Sequence, residues 1–184
     1  MMERVLVLCR TGRKLMEFRL KPRIGVMGPA LCLPEVYSLA REVGFLIGKK
    51  GAILICGGKS GVMEASARGA KEAGGITIGI LPGASADEAN PYIDIPIVTD
   101  LGNARNAINV LTSQVIIAIH GSYGTLSEIA LALKCHTPVV GIGTWDLTPP
   151  SREELPITYA RNAEEAVTAA LNLIATTAAG GIRV

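Results

Sequence analysis

Residues 115–134 read VIIAI HGSYGTLSE IALALK, and this stretch decides the fold. The five apolar residues at its start are typical of a strand buried on both faces, and the Ala- and Leu-rich end is typical of a helix. The glycine-bearing segment between them predicts a tight loop. A helix that begins there aims its free N–H groups and the positive end of its dipole beyond the strand, which favours a bound phosphate or carboxylate.

The loop residues have two interpretations. Gly121 and Gly124 allow the backbone to approach a ligand closely or to adopt a positive φ, and Thr125 adds a hydroxyl at the start of the helix. Residues 125–128 also fit the S/T-x-x-E capping box, in which Thr125 and Glu128 would only satisfy two backbone donors. The sequence leaves both interpretations open.

Strands and helices alternate on both sides of this stretch. Short apolar runs bounded by glycine or proline predict strands, and apolar residues at helical spacing predict helices. This alternation predicts an α/β fold of the Rossmann-like class, a doubly wound parallel sheet with helices on both faces and a ligand beyond the carboxyl ends of the strands. The predicted strands lie at 24–28, 52–56, 76–81, 97–99, 115–119, 138–142 and 157–159; further helices are predicted at 34–50, 62–73, 103–113 and from 162, and a loop across the binding edge at 82–96.

Length and charge narrow the class of protein. The 184 residues suit one domain, so we expect residues 23–184 to form a single phosphate- or nucleotide-binding domain and residues 1–22 to form an N-terminal extension or a small hairpin. The net charge of +2, without a long basic block, gives no reason to expect nucleic acid as a partner. The apolar runs fall far short of the roughly 18 residues of a membrane span, so no membrane partner is expected.

The cysteines predict neither a disulfide framework nor a metal site. Cys9, Cys32, Cys56 and Cys135 are far apart in the chain, and none belongs to a C-x-x-C pair or has a histidine at zinc-ligand spacing. We therefore expect reduced thiols, no metal and a cytoplasmic protein. The first apolar run, at residues 5–9, is too short for the core of a secretion signal.

A second glycine-rich loop, GGKSG at residues 57–61, follows one predicted strand and opens a helix. It is not the loop of a nucleoside triphosphatase, because that pattern needs a glycine where Ile53 stands. A nicotinamide cofactor has little support either, since no G-x-G-x-x-G follows the first strand. Gly57, Gly58 and Gly61 either bind a phosphate through backbone N–H groups or only shape a tight βα turn.

Arg105 stands where a cation is unfavourable. It falls in the first turn of the helix predicted at 103–113, and a positive charge at this end of a helix dipole costs about 0.3–1 kcal/mol when exposed. A bound phosphate would turn that cost into a charge-assisted contact. The alternative is an arginine that pairs with Asp100 or points into solvent.

Taken together, these motifs resemble the LOG-like (lysine decarboxylase-like) Rossmann superfamily over residues 23–173. Its signature is Pro-Gly-Gly-x-Gly-Thr-x-x-Glu, and here His120 replaces the proline and Ser122 the second glycine. The resemblance implies an enzyme that hydrolyses the N-glycosidic bond of nucleoside 5′-monophosphates to free base and ribose 5-phosphate. The residues that carry it are Gly57, Gly58, Gly61, Gly69, Ala70, Arg105, Gly121, Gly124, Thr125 and Glu128.

Other segments are more similar to the molybdenum cofactor carrier-like branch, which uses the same fold to hold a phosphate-bearing pterin. The enzymes carry an Arg-Lys pair preceded by Glu, whereas residues 104–106 here read Ala-Arg-Asn. The segments at 79–83, 102–105 and 138–141 look closer to the carriers. Both branches self-associate, so the resemblance also implies a homodimer or a tetramer.

The leading hypothesis is a binding or carrier protein for a phosphorylated small molecule, either a nucleotide or a molybdopterin-type cofactor, with no other cofactor required. In this hypothesis one glycine loop cradles the phosphate, the other lines the neighbouring part of the cleft, and Arg105 adds charge. The cradle consists of Gly121, Ser122, Gly124 and Thr125, and the neighbouring lining of Gly57, Gly58 and Gly61.

The alternative hypothesis is a phosphoribohydrolase. Glu128 would then stabilise the oxocarbenium-like ribosyl centre or activate water, as a carboxylate does in glycoside cleavage, and Arg105 would hold the substrate. The departures from the enzyme signature at His120, Ser122 and the residues flanking Arg105 weigh against full hydrolase activity.

Overall fold

The computed structural model describes residues 20–149 and 154–179, which form a parallel seven-stranded sheet covered by helices. The sheet order is β4-β3-β2-β1-β5-β6-β7, and every pairing is parallel. This arrangement confirms the predicted doubly wound fold. The strands are β1 (Arg23–Met27), β2 (Ile53–Cys56), β3 (Ile76–Leu81), β4 (Ile95–Val98), β5 (Val115–Ile119), β6 (Val139–Ile142) and β7 (Ile157–Tyr159), and the helices are α1 (Pro34–Lys49), α2 (Val62–Glu72), α3 (Asn106–Thr112), α4 (Tyr123–Lys134) and α5 (Ala163–Ala179).

The strand order reverses between β1 and β5, which lie side by side at the centre of the sheet. All five residues of β5 are buried, and they alternate between two cores. Ile117 packs in the core that includes residues of α1, α2 and α5, whereas Ile116 packs in the core with Val110 of α3 and Ile129 of α4. Helices therefore cover both faces, and the loops that follow β1 and β5 meet at the switch point where open α/β sheets bind ligands.

Two elements begin more than one residue away from their predicted starts. The helix predicted from residue 103 begins only at Asn106, because Gly102–Arg105 form a 3₁₀ turn in which the Ala104 N–H donates to the Leu101 carbonyl. The edge strand β4 begins at Ile95, inside the predicted loop, and it includes Pro96. An edge strand tolerates this proline since one side of its backbone needs no partner.

Some predictions concern residues that the structure does not describe. The proposed hairpin or extension at 1–22 lies outside the described residues except for positions 20–22, and Cys9 lies outside them as well. Cys32, Cys56 and Cys135 are free thiols. In the part of the chain that the structure describes, no helix is long and apolar enough to cross a membrane.

Candidate functional site

A small cavity of about 100 Å³ lies at the carboxyl ends of β1 and β2, beside the start of α4. Its size suits a single phosphate-like group and not a whole nucleotide. We call it the polar cavity, because the side chains that reach it include a cation, a carboxylate and a hydroxyl. Its lining includes Gly57, Arg105, Ser122, Gly124, Thr125 and Glu128, all of which the sequence predicted as site residues.

The start of α4 supplies donors that have no partner among the described residues. The helix begins at Tyr123, and the side chain of the preceding Ser122 makes no capping hydrogen bond within the described chain. The N–H groups of a first helical turn have no intrahelical acceptor. Thr125 lies at the third helical position, where it is 1% exposed and its Oγ1 has no hydrogen-bond partner among the described residues. Buried hydroxyls are normally bonded, so this atom points to a missing partner in the cavity.

The capping-box interpretation of Thr125 and Glu128 is wrong. A capping box requires Thr125 to precede the helix, but the helix starts two residues earlier, at Tyr123. Glu128 does not reach back to a backbone donor either, because its Oε1 accepts a hydrogen bond of 2.8 Å from Asn109 Nδ2 on α3. Both side chains therefore line the polar cavity and do not cap the backbone of α4.

Arg105 and Glu128 form a buried ion pair in this cavity. Arg105 Nη1 lies 3.5 Å from Glu128 Oε1, and the two side chains are 12% and 7% exposed. Arg105 Nε is buried without a hydrogen-bond partner among the described residues. The alternative that paired this arginine with Asp100 or left it in solvent is therefore wrong. Its guanidinium still has a donor to offer to a ligand.

Burial acts against both charges of the pair. It raises the pKa of Glu128 more than the hydrogen bond from Asn109 and the charge of Arg105 lower it. It also lowers the pKa of Arg105, against the attraction of Glu128. Each charge is thus only partly compensated by the other, and a long contact of 3.5 Å leaves room for an anion to compete for the guanidinium.

The three glycines of the second loop have different positions. A Cβ on Gly57 would lie 2.5 Å from Nη1 and 2.6 Å from Cζ of Arg105, so this glycine makes room for the guanidinium. Gly58 and Gly61 lie outside the lining of the polar cavity, and their φ angles of +71° and +67° fit a tight βα turn. Asn90 fixes that turn, because its Nδ2 donates to the carbonyls of Gly58 and Lys59.

Sequence analysis missed the role of two asparagines on α3. Asn109 orients Glu128, and Asn106 Nδ2 donates to Ser127 Oγ on α4 over 2.8 Å. The available signal was spacing, since Asn109 stands four residues after Arg105 and therefore shares its side of the segment. Asn109 Oδ1 is itself buried without a hydrogen-bond partner in the described chain.

Gly57→Ala is expected to lower the free energy of unfolding by about 2 kcal/mol, because the added Cβ overlaps the guanidinium of Arg105. In an Arg105→Ala background the same change is expected to cost less than about 0.5 kcal/mol, since the space is then empty. Urea unfolding of the four proteins completes this double-mutant cycle. Equal costs in both backgrounds would mean that Gly57 does not act through Arg105.

A second, larger cavity of about 550 Å³ adjoins the first. Ser122 lines both cavities, and the loop after β1 runs from Gly28 at the polar cavity to Pro29 at the second one. We call it the apolar groove, because Asp, Glu, Lys and Arg do not occur among the described residues that line it. Its lining includes Leu31, Cys32, Leu33, His120, Gly121 and Trp145, so the predicted site residue Gly121 lies here.

Comparison with known proteins gives one family match and several related structures. The family model described as the SLOG cluster4 family matches residues 21–171. A molybdenum cofactor binding protein from Rippkaea orientalis is 43% identical, with a TM-score of 0.77 and a match that covers 84% of this chain and 98% of that one. The molybdenum cofactor carrier protein of Chlamydomonas reinhardtii is 42% identical, with a TM-score of 0.74 and coverage of 85% and 99%.

A more distant relative is an enzyme. The cytokinin riboside 5′-monophosphate phosphoribohydrolase of Mycobacterium tuberculosis is 34% identical over 120 residues, which are 60% of this chain and 64% of the hydrolase. The chain is thus more similar to the two molybdenum cofactor proteins, both in identity and in the share of each chain that is matched.

Proposed function

Because this chain belongs to the SLOG cluster4 family, we propose that it is a binding or carrier protein for a phosphorylated small molecule, a nucleotide or a molybdopterin-type cofactor. One observation carries the proposal. Thr125 Oγ1 and Arg105 Nε are buried donors without a hydrogen-bond partner in the described chain, and both residues line the polar cavity. A phosphate oxygen accepts from a hydroxyl and from a guanidinium, so one phosphate group would satisfy both.

The first turn of α4 supplies the remaining contacts in this proposal. Its N–H groups point toward the phosphate, and the positive end of its dipole favours the negative charge. Ser122 and Gly124 line the polar cavity at this turn, and Gly57 lets Arg105 lie against the opposite wall. The similarity to two molybdenum cofactor proteins extends over nearly the whole length of those proteins, and it supports the assignment as a carrier.

Thr125→Val is expected to weaken binding of every phosphate-bearing ligand about tenfold or more, because it removes a donor to a charged group. The free energy of unfolding should not fall, since the lost hydroxyl has no partner within the described residues of the free protein. Calorimetric titration with ribose 5-phosphate, GMP and AMP measures the first effect, and urea unfolding measures the second. Thr168→Val, at an exposed position of α5, is the matched control and should change neither.

Other outcomes would contradict the proposal. If none of these ligands binds the wild-type protein and molybdopterin does not bind either, the carrier function falls. If Thr125→Val lowers stability but leaves affinity unchanged, the hydroxyl belongs to the core and not to a phosphate site.

A phosphoribohydrolase is the second candidate, and the position of Glu128 favours it. This carboxyl lies in the polar cavity beside Arg105, and burial raises its pKa toward the range that suits a general acid or base. The similarity to the mycobacterial hydrolase supports the same assignment. The test is whether the protein releases free base and ribose 5-phosphate from AMP or GMP. If it does, and if Glu128→Gln loses this activity, the protein is a hydrolase and the carrier proposal is wrong.

A further inference from the structure

We infer that the apolar groove takes an uncharged, planar heteroaromatic ring, which lies against Trp145 with its polar edge toward His120. The inference rests on the proposed function, because it assigns the part of the ligand that follows the phosphate. The class of ligand is a phosphorylated compound with a fused nitrogen heterocycle, such as a purine or a pterin.

The two cavities differ in charge and in size, so they suit different parts of the ligand. The polar cavity of about 100 Å³ holds both members of the ion pair, whereas the groove of about 550 Å³ has no charged residue among its described lining. Ligand pockets of about 300–1,000 Å³ suit small organic molecules. Because Ser122 lines both spaces, a ligand with its phosphate at α4 has its next atoms at the mouth of the groove.

Trp145 is fixed at the boundary between the two cavities. Its Nε1 donates to the carbonyl of Ser122 over 3.3 Å, and its own carbonyl accepts from the Tyr159 hydroxyl over 3.1 Å. The ring of Tyr123 lies 6.3 Å from it, centroid to centroid. A Cβ on Gly121 would lie 2.7 Å from Nε1, so the glycine at this position lets the indole approach the loop. A held indole is a stacking surface for a flat ring.

His120 adds a polar group to the same groove. It has a φ of +49°, which is uncommon for a residue with a side chain, and its carbonyl accepts from Thr144 Oγ1 over 2.6 Å. A Cβ on Gly143 would lie 3.2 Å from His120 Nε2, so the imidazole lies over this glycine. The backbone of His120 is thus held at the groove, and its exposed imidazole can donate to or accept from the edge of a heterocycle there.

The open side of the groove is apolar and exposed. Leu31 is 89% exposed and Leu33 is 64% exposed, and both lie in the loop between β1 and α1. Two leucines beside an indole would lose apolar exposure when a ring covers them, which adds favourable free energy. This surface is therefore suited to the flat face of the ring, and His120 to its edge.

The test uses Trp145 as its own reporter, because it is the only tryptophan in the sequence. GMP and AMP are the purine probes, 6-hydroxymethylpterin is a pterin without phosphate, and ribose 5-phosphate is the control without a ring. We expect at least one ring-bearing probe to bind and to change the Trp145 emission, and ribose 5-phosphate to bind without that change. Calorimetry gives the matching affinities.

Substitutions separate stacking from folding. Trp145→Ala should weaken the binding of ring-bearing probes about tenfold or more and leave the affinity for ribose 5-phosphate unchanged. Trp145→Phe should keep most of the affinity for ring-bearing probes. His120→Asn tolerates the positive φ, and it should weaken ring-bearing probes without affecting ribose 5-phosphate. Phe45→Ala, at a half-exposed aromatic outside the groove, is the matched control and should change neither.

Three results would overturn the inference. The first is that ring-bearing probes bind no more tightly than ribose 5-phosphate and leave the Trp145 emission unchanged, in which case the phosphate site stands without a ring site. The second is that Trp145→Ala lowers the oligomeric state in sedimentation, which makes the groove a contact between copies of the chain. The third is that no probe, with or without a ring, alters the emission or binds; the proposed function falls with the inference if molybdopterin does not bind either.

Discussion

Arg105→Ala is expected to lower the free energy of unfolding by about 3 kcal/mol near neutral pH. The substitution removes the only cation that the structure pairs with Glu128 among the described residues, and that carboxyl is 7% exposed. An unpaired buried carboxylate retains its desolvation penalty without the attraction that offset it. Urea unfolding monitored by circular dichroism measures the loss.

The loss is expected to depend on pH. Burial places the pKa of Glu128 above the usual 4.5, and removal of Arg105 takes away a charge that lowers it. The folded state then penalises the ionised carboxyl, so the penalty grows as the pH rises from 4.5 through the raised pKa and stays constant above it. Arg105→Ala should therefore cost much less near pH 5 than near pH 8.

Two further variants test this explanation. Arg105→Ala combined with Glu128→Gln should recover most of the stability, because no charge is left buried. Arg161→Ala is the matched control, since Arg161 also pairs with a glutamate but its side chain is 88% exposed. Its free energy of unfolding should stay the same as that of the wild-type protein within experimental error, because an exposed ion pair contributes little. A loss in Arg105→Ala that is the same at both pH values and is not recovered by the second change would contradict the charge explanation.

Periodicity and apolar runs predicted the sheet, because burial on both faces leaves a clear pattern in sequence. The five residues of β5 are apolar and all buried, and the predicted bounds match those observed. The pattern is weaker at the edge, where Ile95, Ile97 and Val98 of β4 are exposed and the strand was predicted two residues late.

The resemblance to the LOG-like superfamily, closest to its carrier branch, is confirmed by the family match and by the related structures.

The sequence singled out individual residues of the candidate site, but it did not predict which of them contact one another. The position of Arg105 near a helix start indicated an anionic partner, and the structure gives Glu128 that role. The two residues are 23 positions apart and lie on different elements, so no local spacing could bring them together. Trp145 lies in a loop without periodicity, and only the packing of that loop on Ser122 and Gly121 places it at the groove.

Sulfate binding to the wild-type protein is expected to weaken as the pH rises from about 5 to about 8, by as much as about tenfold per unit where one proton is linked. An anion in the polar cavity must share Arg105 with Glu128, whose carboxylate lies 3.5 Å from the guanidinium. The anion disfavours the charge of Glu128 and raises its pKa further, so binding takes up a proton. Sulfate is a suitable probe because it keeps its charge in this range, whereas a phosphate ester titrates near pH 6.

Glu128→Gln is expected to remove the pH dependence and to bind sulfate about tenfold more tightly than the wild-type protein near pH 8. The other titratable groups that act on Glu128 stay constant in this range, since Arg105 remains charged and burial raises the pKa of the Cys56 thiol to about 11. Glu88→Gln is the matched control. Its carboxylate pairs with Lys59 outside the polar cavity, so this variant should keep the wild-type slope.

Equal slopes in the wild-type protein and Glu128→Gln would exclude any exchange between this carboxylate and the anion. If the pH dependence of sulfate affinity disappears only in Glu128→Gln, Glu128 pairs with Arg105 in the free protein, and an incoming phosphate replaces this carboxylate at the guanidinium. This exchange uses the same contact in a carrier and in a hydrolase, because both must first bind the phosphate. Protonated Glu128 then lies beside the bound ligand, where a carrier retains it as a neutral neighbour, whereas a hydrolase must ionise it again before it can stabilise the ribosyl centre or activate water.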